Sequence, residues 1–94
     1  MSDNLEVRLM QRPNASMYIE VRLASNVRPG VTATTQVDHQ GSDERTCQAV
    51  LAAGGALAEY LGANYGDGYN ADELARDTRE LYREMMTDYR QALN

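Results

Sequence analysis

Between Thr46 and Ala58 the chain runs thirteen residues without a charge, and Ala and Gly fill most positions there that are not large and apolar. A helix apolar nearly all round is buried on more than one side, so this stretch must sit at the centre of whatever the chain folds into. Ser42 is placed to cap its start, and Asp43 and Glu44 follow in the first turn, where carboxylates suit the helix dipole. Cys47, Val50, Leu51, Leu57, Ala58 and Leu61 recur at three- and four-residue spacings, the period of a stripe laid on a sheet. Ala49, Ala52, Ala53 and Ala56 make a second face, expected to accept another helix closely, from this chain or from a second copy. The pair Gly54-Gly55 would cost about 1 kcal/mol each against Ala, which predicts a close backbone approach or a kink. Gly62 suits a C-terminal cap.

The residues before this helix alternate. Leu5, Val7 and Leu9 are interleaved with Glu6, Arg8 and Met10. Met17, Ile19, Val21 and Leu23 alternate with Tyr18, Glu20, Arg22 and Ala24. Val31, Ala33, Thr35 and Val37 alternate with Thr32, Thr34, Gln36 and Asp38. Pro13-Asn14 and Pro29-Gly30 mark the turns between these runs. Short connections favour antiparallel pairing, so the expected fold is α+β, a three-stranded meander followed by two helices (β-β-β-α-α), with the first helix on the apolar face. The sheet occupies 1–41, the Ala-rich helix 42–62, a loop 63–70 and an amphipathic helix 71–93, all in a single domain of 94 residues. Both sheet edges stay open to pairing of two copies into a homodimer.

Asn70 starts the last helix, with Glu73 in capping-box position. Leu74, Leu81, Tyr82, Met85, Met86, Tyr89 and Leu93 form its apolar side, and Arg76, Arg79, Arg83 and Arg90 line one flank. Glu73, Asp77, Glu80, Glu84 and Asp88 form an acidic stripe beyond them, whose ends lie about 22 Å apart. Glu73–Asp77, Glu80–Glu84 and Glu84–Asp88 are like-charge neighbours that each cost a few tenths of a kcal/mol, an arrangement stability alone would not choose. Carboxylates repeated at every turn imitate a run of phosphates, and can fill an Arg/Lys groove built for nucleic acid.

Charge supports a basic protein as partner. Nine Arg, no Lys and fourteen acids give a formal charge of -5, and all of the excess lies beyond residue 41. Such a chain is poorly suited to phosphate backbones or anionic membranes, so neither nucleic acid nor membrane is expected as a direct partner. No run is long and apolar enough to span a bilayer, no basic-then-apolar leader opens the sequence, and one cysteine cannot close an internal disulfide; the expected compartment is the cytoplasm.

Enzymatic chemistry finds little footing, and no catalytic residue, metal or cofactor is assigned. His39 and Cys47 are each the single residue of their kind. Asp38, His39 and Ser42 lie too close along the chain for triad geometry, and one His with one Cys makes a poor zinc site. A calcium-loop register anchored on Gly68 would put Ala63, Tyr65 and Leu74 at ligand positions. No GK[ST] follows Gly66-Asp67-Gly68. Tyr65, Asp67 and Tyr69 instead form a second candidate contact site, exposed on the interhelical loop.

Three strands followed by Gly41-Ser42 and an Ala-rich helix resemble the last two-thirds of a double-stranded-RNA-binding domain. That family opens the helix with clustered lysines, where this chain has Asp43-Glu44-Arg45-Thr46. Strand-turn-strand-strand with a Gly41-Ser42-Asp43 step into the helix also resembles small phage-encoded anti-CRISPR proteins, over about residues 5–62. This resemblance implies a non-enzymatic inhibitor, acting in the host bacterial cell, that binds a nucleic-acid-guided effector complex, often through an acidic surface. Two other roles fit the sequence. One is an oligomeric sponge holding a small cyclic nucleotide with Arg76, Arg79 or Arg83 and the loop tyrosines. The other is an oligomerisation module using the Ala face.

Overall fold

The computed structural model describes residues 3–94. Strands β1 (Leu5–Gln11), β2 (Met17–Ala24) and β3 (Thr32–Asp38) form an antiparallel sheet in the order β1-β2-β3, followed by helices α1 (Asp43–Tyr65) and α2 (Ala71–Leu93). This is the expected α+β layout.

The register follows the alternation. Leu5, Val7 and Leu9 lie opposite Leu23, Val21 and Ile19, which in turn oppose Ala33, Thr35 and Val37. These residues face the helices, and Leu5, Ile19, Val21, Leu23, Ala33 and Val37 are buried. The other face carries Glu6 opposite Arg22 and Arg8 opposite Glu20, favourable cross-strand pairs on a surface no helix covers. Arg12 stacks on Tyr18 at 4.5 Å and reaches Asp38 at 2.8 Å, tying the β1–β2 turn to β3.

Hydrogen bonds at the strand ends fix which backbone groups point outward. Ala24 N donates to Asn4 O and Arg12 N to Ser16 O, both at 2.8 Å. The bonded β1–β2 pairs therefore fall at even-numbered β1 residues, and the N–H and C=O of Leu5, Val7 and Leu9 face away from β2, along the free edge. Ser25 N donates to Val31 O at 2.9 Å, so Thr32, Thr34 and Gln36 hold the outward groups of β3.

Both helices lie on the same face, α1 across β2 and β3, α2 across β1, and they pack on each other as an antiparallel hairpin. Ser42 caps α1 by accepting from Arg45 N at 3.2 Å, and Asn70 caps α2 by accepting from Glu73 N at 2.9 Å, both as expected. The end of α1 differs from expectation. The helix continues to Tyr65 and stops at Gly66, left-handed at φ +77°, whose N–H donates to Gly62 O at 3.1 Å. Gly62 is needed for another reason: a Cβ there would lie 3.0 Å from Asp67 O, so the returning chain requires the gap. The loop is thus shortened to 66–70.

Within the chain, the helix–helix contact falls elsewhere than on the Ala face, expected to take α2 or a helix of a second copy. α2 does not use the Ala face: Ala52 and Ala56 are exposed, Ala49 and Ala53 half-buried. The predicted stripe is divided instead. Val50, Leu57 and Leu61 enter the core shared with the sheet, while Cys47, Leu51 and Ala58 line the clefts beside α2. At the crossing Gly54 is buried, and a Cβ there would come 3.1 Å from Thr78 Oγ1, the predicted close approach. Gly55 meets nothing within 4 Å. Thr78 sits in the apolar side of α2 and satisfies its hydroxyl by donating to Leu74 O at 2.7 Å. Arg90 closes the far end of the hairpin on Asp43, beside which the Tyr82 hydroxyl donates to Asp43 O at 3.3 Å.

Candidate functional site

The acidic stripe is the stronger of the two predicted contact sites, and the structure divides it. Glu73, Glu80, Glu84 and Asp88 are exposed. Asp77 is buried, 5% exposed, in a cleft with Asn26, Tyr69, Asn70 and Leu74. Asp77 is therefore set apart from the exposed carboxylates with which the sequence grouped it. At 100° per residue Asp77 stands at the margin between the apolar side and the stripe, and the β2–β3 turn closes over that margin.

The exposed carboxylates lie on the flank of α2 that faces away from α1. Leu81, Glu84, Met85, Asp88 and Tyr89 border a shallow groove of about 660 Å³ whose opposite wall is β1, with Val7, Arg8, Leu9 and Met10. Arg8 is held by Glu6 at 2.9 Å. Arg79, Arg83 and Arg90 occupy the other flank, in a cleft against Asp43, Glu44, Cys47 and Gln48 of α1. The two signs of charge are thus separated across one helix: Arg79, Arg83 and Arg90 share a cleft with acids of α1, and Glu73, Glu80, Glu84 and Asp88 face outward.

The loop site is not an exposed contact surface. Tyr65 is the last residue of α1 and half-buried, edge-on to Tyr60 with ring centroids 6.4 Å apart. Asp67, 8% exposed, accepts from Ser25 Oγ at 2.7 Å and from Asn26 N at 2.5 Å, pinning the interhelical loop to the β2–β3 turn. The Tyr69 hydroxyl donates to Ala24 O and accepts from Asn4 Nδ2 at 3.4 Å. Burial holds the Tyr69 phenol above its ordinary range; the hydrogen bond from Asn4 opposes this and the charge of Asp67 adds to it. Burial, with a smaller contribution from Cys47, raises the Tyr82 phenol in the same direction. Asp67 and Tyr69 join the sheet to the hairpin. A tyrosine or aspartate in a Gly-rich loop reads as a contact residue in sequence because its partner, the Ala24 carbonyl that accepts from Tyr69 or the Ser25 hydroxyl that donates to Asp67, lies more than forty residues away.

Of the arginines considered for a nucleotide, two lie far from the loop tyrosine. Arg79 and Arg83 lie in the cleft beside the start of α1, whereas Tyr69 is in the loop at the opposite end of the hairpin. His39 accepts from Gly41 N at 3.1 Å and lines a small apolar cavity with Tyr89 and Met17, separate from the cleft that holds Cys47. Among the described residues, no group of three or more His, Cys, Asp or Glu side chains could hold a metal ion. No described helix is long and apolar enough to cross a membrane.

No protein-family model matches the chain, and neither curated proteins nor solved structures gave a match.

Proposed function

We propose that this chain is a non-enzymatic binding protein of the bacterial cytoplasm that presents the acidic flank of α2 to a basic surface on another protein. The observation that carries this reading is the separation of charge across α2. Glu73, Glu80, Glu84 and Asp88 are exposed on a flank with no covering element, while Arg79, Arg83 and Arg90 face α1. From Glu73 to Asp88 the helical rise spans about 22 Å, the length of a short run of nucleic-acid phosphates. The surface best matched to it is an Arg/Lys groove that otherwise holds nucleic acid. The layout resemblance to phage-encoded anti-CRISPR proteins supports the same class, an inhibitor of a nucleic-acid-guided defence complex.

The test compares the tagged wild type with the triple variant Glu80→Arg, Glu84→Arg, Asp88→Arg in pull-downs from bacterial lysate read by mass spectrometry. The expected result is a nucleic-acid-binding protein retained by the wild type, lost by the variant, and released from the wild type as salt rises, since exposed charge attraction is screened. Equal retention by both proteins would rule out the acidic flank as the docking face.

A further inference from the structure

The groove beside the acidic flank has one wall with unused hydrogen-bonding capacity. Leu5, Val7 and Leu9 turn their N–H and C=O groups outward along the free edge of β1, and among the described residues no hydrogen bond from another element reaches them. An open edge is a template for another strand. The two edges of this sheet differ in what accompanies them. Beside β3 the outward residues are Thr32, Thr34 and Gln36. Beside β1 the side chains of Val7 and Leu9 continue into Leu81 and Met85 of α2, and Glu84 and Asp88 stand above that apolar floor.

We infer that β1 accepts an extended segment of a basic partner protein as a fourth strand, with a long cationic side chain at every second position. In an antiparallel addition, the residues hydrogen-bonded to Val7 and Leu9 point their side chains to the helix face, as Val7 and Leu9 do. An Arg or Lys there lays its aliphatic stem on Leu81 and Met85 and carries its charge to Glu84 and Asp88. The intervening side chains face the open side of the sheet. Charge also decides against a second copy as occupant. Two-fold pairing of β1 with β1 would set two α2 helices side by side, with the Glu84–Asp88 flanks of both in contact. This inference rests on the proposed docking role of the flank and specifies how the partner binds there.

The probe is a capped peptide of about nine residues alternating arginine with threonine, titrated against the full chain by calorimetry and by amide hydrogen exchange. Two further peptides carry backbone N-methyl groups, one at the arginines and one at the threonines, with charge and composition otherwise unchanged. Binding of the parent peptide should slow exchange at Leu5, Val7 and Leu9. Methylation at the arginines should weaken it about tenfold or more, because the blocked N–H groups face β1, while methylation at the threonines leaves it intact. The reverse pattern also supports strand addition, in the parallel direction. Equal binding by both methylated peptides, equal loss of both, or no protection of the β1 amides would overturn it. If both methylated peptides bind like the parent while Glu84→Arg, Asp88→Arg binds none, the flank docks by charge alone: the proposed function stands and strand addition fails. If that variant binds as the wild type does, the flank reading itself has failed. Protection of the same amides in the free protein, rising with its concentration, would assign the edge to a second copy and overturn the inference.

Discussion

Asp67 and Glu84 are both carboxylates in the acidic half of the chain, and both belong to sites the sequence marks as candidate contacts. Asp67 is buried and holds two donors of the β2–β3 turn, at Ser25 and Asn26. Glu84 is exposed beside two like charges one turn away on either side, Glu80 and Asp88. Asp67 is spent on the fold, and Glu84 is held at a small cost to it. Acidity and loop or helix position do not separate them; the donors nearby in space do. A carboxylate surrounded by donors of its own chain is structural, and one surrounded by other carboxylates is free to meet a partner.

Three substitutions test that contrast, the largest first. Asp67→Ala should destabilise the protein by about 3 kcal/mol, because the Ser25 hydroxyl and Asn26 N–H lose their acceptor in a partly buried place. The corresponding fall in Tm is about 15 °C, readable by thermal denaturation. A variant as stable as the wild type would make Asp67 a contact residue after all.

Tyr69→Phe removes the hydroxyl that donates to Ala24 O and should cost about 1 kcal/mol at neutral pH. It should also change the response to alkali. The folded phenol holds its proton above the unfolded value, so its contribution is full below a pH of about 10 and is lost as pH rises through the raised folded value. Urea unfolding at a pH of about 8 and about 11 should show a larger loss for the wild type than for the variant. Equal losses would mean that Tyr69 is as accessible to water as an unfolded tyrosine.

The smallest effect has the opposite sign. Glu84→Arg converts two repulsive i,i+4 neighbours into attractive ones and should stabilise the fold by about 0.5 kcal/mol, raising Tm by about 2–4 °C. The same change should weaken partner binding. A destabilising Glu84→Arg would place Glu84 with Asp67, among the carboxylates the fold depends on.

The strands, their turns and both helix caps were legible because each rests on local chemistry: alternation of period two, Pro-Asn and Pro-Gly turns, and Ser or Asn ahead of acidic first turns. The two residues at the helix crossing were half legible. Gly54 announced a close approach, but Gly54 and Gly55 are adjacent on the chain and only Gly54 meets Thr78. The stop of α1 was misplaced by four residues because two glycines, Gly62 and Gly66, offered themselves as caps. Gly66 takes the left-handed conformation, and Gly62 is kept for the passing carbonyl of Asp67.

Residue order alone sets which side of each strand faces the core, because side chains alternate by covalent geometry, and it sets the segregation of charge on α2, because residue spacing fixes position around a helix. Which of those charges remain available depends on how the elements pack. The β2–β3 turn closes over Asp77, seating α2 over β1 leaves Glu84 and Asp88 beside an open strand edge, and folding the loop onto the same turn commits Asp67. The partners responsible lie far along the chain, and only the packing of the hairpin on the sheet brings them within hydrogen-bond reach.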